Sequence, residues 1–328
     1  MKMQNILIPI DIRIWKEELD QFVPNKIIDV HTHLWNERFA GKNEDTDSIL
    51  RMEAGFGNLR KFSETIFPGR EIHYLLMGTP LAGIDFEEHN RWVADEASID
   101  PLSIAGMILT PQMTPESVSS MLKSKNAKVL KPYRVFADDP VNCRIKDYLP
   151  EPIMEVADHY GIAIMLHISM KDGIADPVNQ ADLKSYTRKY PNIKWILAHC
   201  ARSFNSFMLE KSIHFLKNLP NIWYDTSAVN DLYSHLLLLK YEDKRRIMFG
   251  SDNIAAGGMR GKYISYGFAW EGYRGNPGLS HCQAEATMVI YEQLRCQKQA
   301  SEILELTKSE INAIFYDNAL TFFQSLNI

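Results

Sequence analysis

Residues 26–33 read Lys26-Ile27-Ile28-Asp29-Val30-His31-Thr32-His33, an apolar run that ends in two histidines separated by one residue. In a β-strand, successive side chains point to opposite faces, so His31 and His33 should face the same side, with Asp29 one pleat below. Two neutral imidazoles on one face can bind a divalent ion such as Zn²⁺, and Asp29 could orient one of the rings. The motif alone leaves a second interpretation open, a pair of ordinary core or surface histidines.

The rest of the chain alternates short apolar runs with longer amphipathic stretches, which is typical of βα units around a parallel sheet. We predict eight strands, over residues 26–31, 71–78, 103–109, 127–131, 161–167, 193–199, 221–226 and 245–250. The predicted helices between them cover residues 86–99, 114–124, 147–160, 179–190, 205–218 and 229–240. Eight alternations in 328 residues favour an α/β fold, a closed (β/α)8 TIM barrel formed by residues 1–328 as a single domain.

Two segments exceed a minimal barrel, residues 36–70 after strand one and residues 257–278 after strand eight. The second is rich in aromatic residues and contains Arg260 and Arg274, so it could form a mobile cover that touches an anionic or ring-bearing ligand. A solvated loop with dimer contacts is the alternative. Extra C-terminal helices begin at the capping-box residues 307–310, and we expect them to pack on the barrel exterior.

Charge and motifs argue against several classes of protein. The net charge of −5 and the scattered lysines do not suit a nucleic-acid-binding surface. No apolar run reaches the roughly 18 residues that a membrane span needs, and no export signal is evident. Neither a G-x-G-x-x-G motif after an early strand nor a G-x-S-x-G motif is present. We therefore expect a cytoplasmic protein with a small-molecule substrate and no nucleic-acid or membrane partner.

Three further potential ligands lie at the ends of predicted strands, which is where barrel active sites are built. His167 ends strand five, His199 ends strand six and Asp252 follows strand eight. His167 and His199 are 32 residues apart, about one βα unit, so their rings should lie on neighbouring strands and could face one ion. Either histidine alone could be a packed or surface residue. Four histidines and an aspartate at strand ends are difficult to attribute to chance.

Six stretches together carry a family resemblance. They are Ile28-Asp29-Val30-His31-Thr32-His33, Met165-Leu166-His167, residues 191–200, residues 221–227, Ile247-Met248-Phe249-Gly250-Ser251-Asp252 and Asn318-Ala319. They resemble the amidohydrolase superfamily, specifically the amidohydrolase-related branch that also contains decarboxylases of the aminocarboxymuconate-semialdehyde type. The resemblance extends over nearly the whole chain.

This resemblance implies that His31, His33, His167 and Asp252 bind one divalent metal ion, zinc, with manganese as the alternative. It also implies that His199 either binds a second ion or activates water, and that Asp252 accepts a proton. Related barrels commonly form dimers, so a homodimer is an expectation of the same kind.

The sequence departs from the branch at Cys200-Ala201-Arg202, where relatives usually have small glycines. Arg202 could therefore reach the substrate and hold a carboxylate, although an ordinary surface arginine is an equal alternative. Two-metal members of the superfamily use a carboxylated lysine on strand four, and Lys131 is the residue at that place. We expect Lys131 to face solvent and the site to hold a single metal.

A metal ion with such ligands lowers the pKa of a bound water, so we expect hydrolysis of an amide, ester or lactone bond in a small, carboxylate-bearing substrate. Asp252 and His199 are the expected catalytic residues. Non-oxidative decarboxylation of a small aromatic or enol acid is the alternative, in which the same two residues would protonate carbon. A non-catalytic barrel that binds a ligand is the third hypothesis.

Overall fold

A computed structural model describes residues 6–39, 53–81, 83–124, 127–275 and 278–326. Eight parallel strands form one sheet in the order of the sequence. They are β1 Lys26–Leu34, β2 Glu71–Gly78, β3 Ile104–Leu109, β4 Ala127–Pro132, β5 Ala163–Leu166, β6 Lys194–Leu197, β7 Ile222–Asp225 and β8 Ile247–Met248. All eight predicted strands are therefore confirmed, several of them one or two residues shorter at their ends.

The ring of strands closes because β1 also pairs with the chain that follows β8. The amide of Val30 donates to the carbonyl of Phe249 at 3.0 Å, and the amide of Asp252 donates to the carbonyl of His31 at 2.8 Å. The predicted (β/α)8 barrel is confirmed. Its closure places the ends of β1 and β8 side by side.

Helices connect the strands. They are Pro9–Ile14, Phe56–Ile66, Phe86–Ala97, Pro115–Ser124, Ile145–Tyr148, Glu151–Tyr160, Pro177–Lys189, Ser206–Glu210, Ile213–Leu216, Leu232–Tyr241, Val289–Ile303, Lys308–Asn312 and Asn318–Gln324, with π-helical turns Trp15–Leu19 and Ala313–Asp317 and 3₁₀ turns Glu37–Phe39, Arg134–Phe136, Gly173–Ala175 and Lys244–Arg246. Two predicted helices, 147–160 and 205–218, are each divided in two. In the first, Pro150 caps the second half, because its ring cannot continue a helix from the preceding residues.

The strands are apolar on both faces, as expected when helices cover a parallel sheet. Outward-facing residues such as Ile27 and Ile164 pack against the helices. Inward-facing residues such as Ile28 and Met165 form a second core inside the barrel, which helix Asn318–Gln324 joins through Phe322 and Phe323.

The helices at the end of the chain were predicted to pack on the barrel exterior, and this is only partly correct. Ile314 and Phe315 belong to the outer core as expected. The last helix instead lies across the end of the barrel where the strands begin, since Lys194 Nζ, at the start of β6, donates to the Ser325 carbonyl at 2.8 Å. Phe322 reaches the inner core there because that end of the barrel is otherwise open to solvent.

The segment after β8 contains an antiparallel hairpin, β9 Lys262–Tyr266 paired with β10 Ala269–Tyr273. The sequence predicted a cover at this place but not its strands. In the segment after β1, residues 40–52 lie outside the described part of the chain. Among the described residues, no helix is both long and apolar enough to traverse a bilayer.

Candidate metal centre

His31 and His33 lie on the same face of β1, as the sequence predicts, with ring centroids 5.2 Å apart. The prediction that Asp29 shares this face is wrong. Between Asp29 and Thr32, β1 contains one residue more than β2, and such a bulge reverses the facing of the residues beyond it. The Asp29 carboxylate accepts hydrogen bonds from the amides of His31 and Ser251 at 3.1 and 2.9 Å, not from an imidazole.

The two ring nitrogens of His31 have different roles. Nδ1 lies 3.1 Å from Oδ2 of Asp225, so we assign the proton to Nδ1, which donates to the carboxylate. Nε2 then carries the lone pair and faces Lys131 Nζ at 3.3 Å and Asp252 Oδ1 at 3.7 Å. Burial, and then the charge of Lys131, lowers the pKa of His31 to about 3. The ring is therefore neutral at neutral pH, as a metal ligand must be.

His33 is oriented in the same way. Its Nδ1 donates to the carbonyl of Gly78 at 2.8 Å, at the end of β2. Its Nε2 lies 3.2 Å from the hydroxyl of Tyr133 and 3.3 Å from Oδ1 of Asp252. Both β1 imidazoles thus direct their Nε2 atoms towards the same carboxylate.

Asp252 approaches the two rings from the chain after β8. Its backbone has a φ of 59°, a left-handed conformation that aspartate tolerates better than most residues. Burial alone would raise the pKa of Asp252, but the adjacent His33 and His31 rings hold it well below its ordinary value. One ligand atom from each of His31, His33 and Asp252 lies within 4.8 Å of the other two. Three of the four predicted metal ligands therefore converge.

His167, the fourth predicted ligand, follows β5 at the side of this cluster. Its ring centroid is 5.2 Å from that of His199 and 6.2 Å from that of Tyr133. Its Nδ1 is buried and has no hydrogen-bond partner among the described residues. Burial, and then the proximity of His199 and Arg202, lowers the pKa of His167 well below its ordinary value. A neutral imidazole with an unpartnered buried nitrogen is a group that a metal ion would satisfy.

His199 lies between His31 and His167, with its ring centroid 4.8 Å from that of His31. Its Nδ1 donates to the Ser227 carbonyl at 3.0 Å, so Nε2 is the basic nitrogen. The Ser227 hydroxyl accepts from Nδ1 of His199 at 2.9 Å and from Nδ1 of His31 at 3.0 Å, and it donates to Asp225. One serine after β7 therefore fixes both rings.

The backbone from His199 to Arg202 forms a left-handed turn. The φ angles of these four residues lie between 50° and 59°, a conformation that costs non-glycine residues roughly 1–2 kcal/mol each. The turn is held by the hydrogen bond from the Ser203 amide to the His199 carbonyl at 2.9 Å and by the His199 amide, which donates to Asp225 at 3.2 Å. Glycine in this segment would adopt the turn without strain.

The expectation that Lys131 faces solvent is wrong. Lys131 is 0% exposed, because the alternation of β4 places it inside the barrel, two residues before Tyr133. Burial lowers the pKa of Lys131 to about 8, so the ammonium is still mostly protonated at neutral pH. An ion at Nε2 of His31 would therefore compete with this ammonium for the same lone pair.

Arg202 is half-buried, and its guanidinium donates to the carbonyl of Met170 at 2.8 Å. Arg202 is therefore not an ordinary exposed arginine, which is the alternative that the sequence left open. Its charge contributes to the lowered pKa of His167, which places it close to the histidine cluster.

The hairpin β9–β10 packs beside His199 through an aromatic wall formed by Phe204, Tyr263 and Trp270. The Phe204 centroid is 5.2 Å from that of His199 and 4.4 Å from that of Trp270. The hairpin therefore lies next to the site, as expected of a cover. Arg260 does not serve this cover, because it forms an ion pair with buried Asp11 at 2.7 Å.

Sequence reasoning assigned no role to three residues of the site, Asp225, Ser227 and Tyr133. Asp225 ends β7, so the rule that polar residues at strand ends build barrel sites would have identified it. Tyr133 follows the end of β4 at a two-residue spacing from Lys131, which is the same kind of signal. Ser227 has no signal of its own, because its role depends on the neighbouring rings.

A cavity of about 1030 Å³ lies elsewhere, lined by residues that include Asp20, Lys26, Arg70 and Tyr316. Lys26 and Arg70 are at or next to the starts of β1 and β2. Barrel active sites occur at the opposite end, and none of the predicted site residues lines this cavity. The histidine cluster remains the candidate site.

Comparison with known proteins adds a family to this geometry. The family described as Amidohydrolase matches residues 28–324. No curated protein matches the chain.

Three solved structures illustrate the similarity of the fold. The 5-carboxyvanillate decarboxylase of Sphingomonas paucimobilis is 12% identical, with a TM-score of 0.53 over 92% of this chain and 99% of that one. A protein described as the 2-pyrone-4,6-dicarboxylic acid hydrolase of Pseudomonas putida is 13% identical, with a TM-score of 0.56 and the same coverage. A dihydroxybenzoic acid decarboxylase of Polaromonas sp. JS666, with bound manganese and 2-nitroresorcinol, is 16% identical, with a TM-score of 0.56 over 92% and 97%.

Proposed function

Because the chain belongs to the amidohydrolase family, as the match over residues 28–324 establishes, we propose that it is a metal-dependent hydrolase. It cleaves an amide, ester or lactone bond of a small, carboxylate-bearing substrate. The observation that carries this proposal is the convergence of His31, His33 and Asp252, whose ligand atoms lie within 4.8 Å of one another at the ends of the strands. An ionised carboxylate and two imidazoles suit a divalent ion.

The residues present fit one such ion, held by His31, His33, His167 and Asp252. The Nδ1 protons of His31 and His33 are already donated to Asp225 and to the Gly78 carbonyl, which leaves both Nε2 atoms as donors to a metal. Zinc suits three imidazoles and one carboxylate, and manganese is the alternative. When bound, the ion supplies a Lewis acid that lowers the pKa of a water and polarises the carbonyl under attack.

The proton transfers fall to His199 and Asp252. Hydrogen bonds to Ser227 fix the Nδ1 proton of His199 and leave its Nε2 free to accept a proton from water and return it to the leaving group. The pKa of His199 is lowered by burial, so the ring starts the reaction in its neutral, basic form. Asp252 is ionised and close to His33, and it is the second acceptor.

Decarboxylation of a small aromatic or enol acid is a second candidate, and the aromatic wall of Phe204, Tyr263 and Trp270 favours it. Phe204 lies 5.2 Å from His199 by ring centroid, so a planar ring stacked on this wall would lie beside a residue able to donate a proton to carbon. In that reaction the carbon–carbon bond breaks, CO₂ leaves, and the carbon that retains the electron pair takes a proton that His199 or Asp252 has first accepted from solvent.

Metal analysis of purified protein tests the proposal. We expect about one zinc or manganese per chain, as for other sites with three imidazoles and a carboxylate. His31→Ala and Asp252→Ala should lose the metal while keeping the fold by circular dichroism. His159→Ala is the matched control, because His159 is exposed on helix Glu151–Tyr160 and should leave the metal content unchanged.

A wild-type protein that holds no metal after reconstitution with zinc and with manganese would contradict the proposal. About two metals per chain would make His199 or Lys131 a ligand.

Once a substrate is found among lactones, amides and aromatic acids, isotope labelling distinguishes hydrolysis from decarboxylation. Hydrolysis incorporates oxygen from labelled water into the product, whereas decarboxylation releases CO₂ and incorporates solvent deuterium at carbon.

A further inference from the structure

Tyr133 lies between two of the histidines assigned to the ion. It directly follows β4 and is only 9% exposed. Its ring centroid is 6.3 Å from that of His33 and 6.2 Å from that of His167. Its hydroxyl is 3.2 Å from Nε2 of His33, and Oδ1 of Asp252 is 3.3 Å from the same nitrogen. The hydroxyl therefore reaches the place where the ligand atoms converge.

The Tyr133 hydroxyl differs from those of other buried tyrosines in its acceptor. Three of these donate to oxygens that remain available whether or not an ion is bound: Tyr148 to the His167 carbonyl, Tyr224 to the Glu242 carboxylate and Tyr291 to the Ile66 carbonyl. Among the described residues, Tyr133 is hydrogen-bonded only to Nε2 of His33. Because Nδ1 of His33 donates to the Gly78 carbonyl, Nε2 offers a lone pair and the Tyr133 hydroxyl donates to it.

That lone pair is the one assigned to the ion in the proposed function. A nitrogen lone pair serves one partner at a time, so an ion at His33 leaves the Tyr133 hydroxyl without its acceptor. A buried hydroxyl without a hydrogen-bond partner is destabilising. In the loaded site the hydroxyl therefore needs a new acceptor beside the ligand set, which is where the reacting oxygen of a substrate must lie.

The ring of Tyr133 is held in place before any substrate arrives. The Phe136 amide donates to the Tyr133 carbonyl at 3.2 Å at the start of the 3₁₀ turn, and the ammonium of Lys131 lies 5.2 Å from the ring centroid. Donors fixed in this way stabilise a developing negative charge most effectively, because they need no rearrangement during the reaction. A phenol, with an ordinary pKa of about 10, also keeps its proton at neutral pH.

We propose that Tyr133 is a further catalytic residue, whose hydroxyl donates a hydrogen bond to the carbonyl oxygen of the bond that is cleaved. This inference rests on the proposed function. The oxygen of water attacks the carbonyl carbon, and the π electron pair moves to the carbonyl oxygen, where Tyr133 stabilises the charge. The pair returns when the bond to the leaving group breaks, and the leaving group takes the proton that His199 accepted from water. Tyr133 keeps its own proton throughout.

Methylphosphonate provides a test, because it is a tetrahedral oxyanion like the species formed when water attacks a carbonyl. In calorimetric titrations of zinc-loaded protein, Tyr133→Phe should bind methylphosphonate at least about tenfold more weakly than the wild type. Its zinc affinity, measured by competition with a chelator, should not fall. Tyr148→Phe is the matched control, because it also loses a buried hydroxyl, but one that donates to the backbone of His167. It should change neither quantity.

Kinetics with a substrate found by screening provide a second readout. Tyr133→Phe should lower kcat about 100-fold and leave KM nearly unchanged, since the hydrogen bond strengthens only as charge develops on the oxygen. A structural role would instead lower the amount of folded, zinc-loaded protein and leave the kcat of that fraction unchanged.

Equal methylphosphonate binding by the wild type and Tyr133→Phe, both zinc-loaded, would overturn the role of Tyr133, and so would a zinc-loaded wild type that does not bind the probe. Weaker zinc binding with unchanged probe binding would overturn it as well, because the hydroxyl would then serve the ligand set. Zinc uptake keeps this test apart from the proposed function. A wild type without metal uptake contradicts both, whereas normal uptake with unchanged probe binding contradicts only the role of Tyr133.

Discussion

The ammonium nitrogen of Lys131 lies 3.3 Å from Nε2 of His31, the nitrogen that a metal ion would use. This contact joins β4 to β1 inside the barrel, where both side chains are buried. The charge of Lys131 and the charge of an ion at His31 would repel each other. The lysine therefore weakens metal binding unless it is itself converted to a ligand.

Replacing Lys131 with methionine tests this relationship. A methionine of similar length removes the charge and keeps the packing, so we expect the metal content to stay at about one per chain and the affinity to rise severalfold. Competition with a chelator measures the affinity. Lys128→Met, on the same strand but partly exposed, should change neither quantity. A fall in metal content in the Lys131 variant would instead identify Lys131 as a ligand.

Asp225→Asn should lower metal affinity about 10- to 100-fold, because the Asp225 carboxylate holds the Nδ1 proton of His31 and so presents Nε2. Asp29→Asn is the matched control. Asp29 is also buried and also lies beside His31, but it accepts from backbone amides and touches no imidazole. Equal losses in the two variants would show that any buried carboxylate near β1 has this effect, and that the contact with the ring has no special role.

The left-handed turn predicts an unusual response to glycine. Ala201→Gly removes a buried methyl group worth about 0.8 kcal/mol and relieves backbone strain of roughly 1–2 kcal/mol, so the free energy of unfolding should stay the same or rise by up to about 1 kcal/mol. Ala157→Gly, at an equally buried site inside helix Glu151–Tyr160, has no strain to relieve. Ala157→Gly should therefore lower the free energy of unfolding by about 2 kcal/mol. Denaturant unfolding measures both, and similar costs would contradict the account of the turn.

His89 predicts a pH dependence of stability outside the metal centre. Its ring is buried against Phe39 and Trp92, with centroids 4.7 and 5.7 Å away, and neither ring nitrogen has a hydrogen-bond partner in the described ranges. Burial lowers the pKa of His89 from 6.5 to about 4. The unfolded chain therefore binds a proton more readily than the folded chain, so stability is lost as the pH falls from about 6.5 towards 4.

His89→Leu should remove this contribution. Between pH 7 and pH 4 the free energy of unfolding of the wild type should fall by about 3 kcal/mol more than that of the variant, which is the value of the pKa shift. The expected difference between the wild type and the variant appears only at acid pH. A variant that is less stable by the same amount at every pH would not show it. Parallel curves for the two proteins would show that His89 titrates normally in the folded state.

The strands and the general place of the site could be predicted from the sequence. Apolar runs such as Ile162–Leu166 are long enough for a strand and too short for a helix. The carboxyl ends of parallel strands meet at one end of the barrel, so His167, His199 and Asp252 had to lie near His31. This prediction needed the order of the elements and not their detailed geometry.

The details that could not be predicted depend on register and on contacts across the barrel. One extra residue in β1 turns Asp29 away from His31, and no pattern in the sequence marks that bulge. Lys131 is buried because the alternation of side chains along β4 places it on the inner face of the barrel. A lysine beside apolar residues does not show in the sequence which of the two faces it occupies. The joint role of Asp225 and Ser227 arises only when β1, β6 and β7 are assembled.

The hydrogen bond from the Asp252 amide to the His31 carbonyl closes the barrel, and the same two residues supply side chains to the candidate metal centre. The seam of the barrel and the ligand set are therefore one structure. An open seam would separate Asp252 from His31 and His33, so an ion bound there would favour the closed barrel in proportion to the logarithm of its concentration. In this protein, loading the metal and completing the ring of strands would be linked equilibria, and each would report on the other.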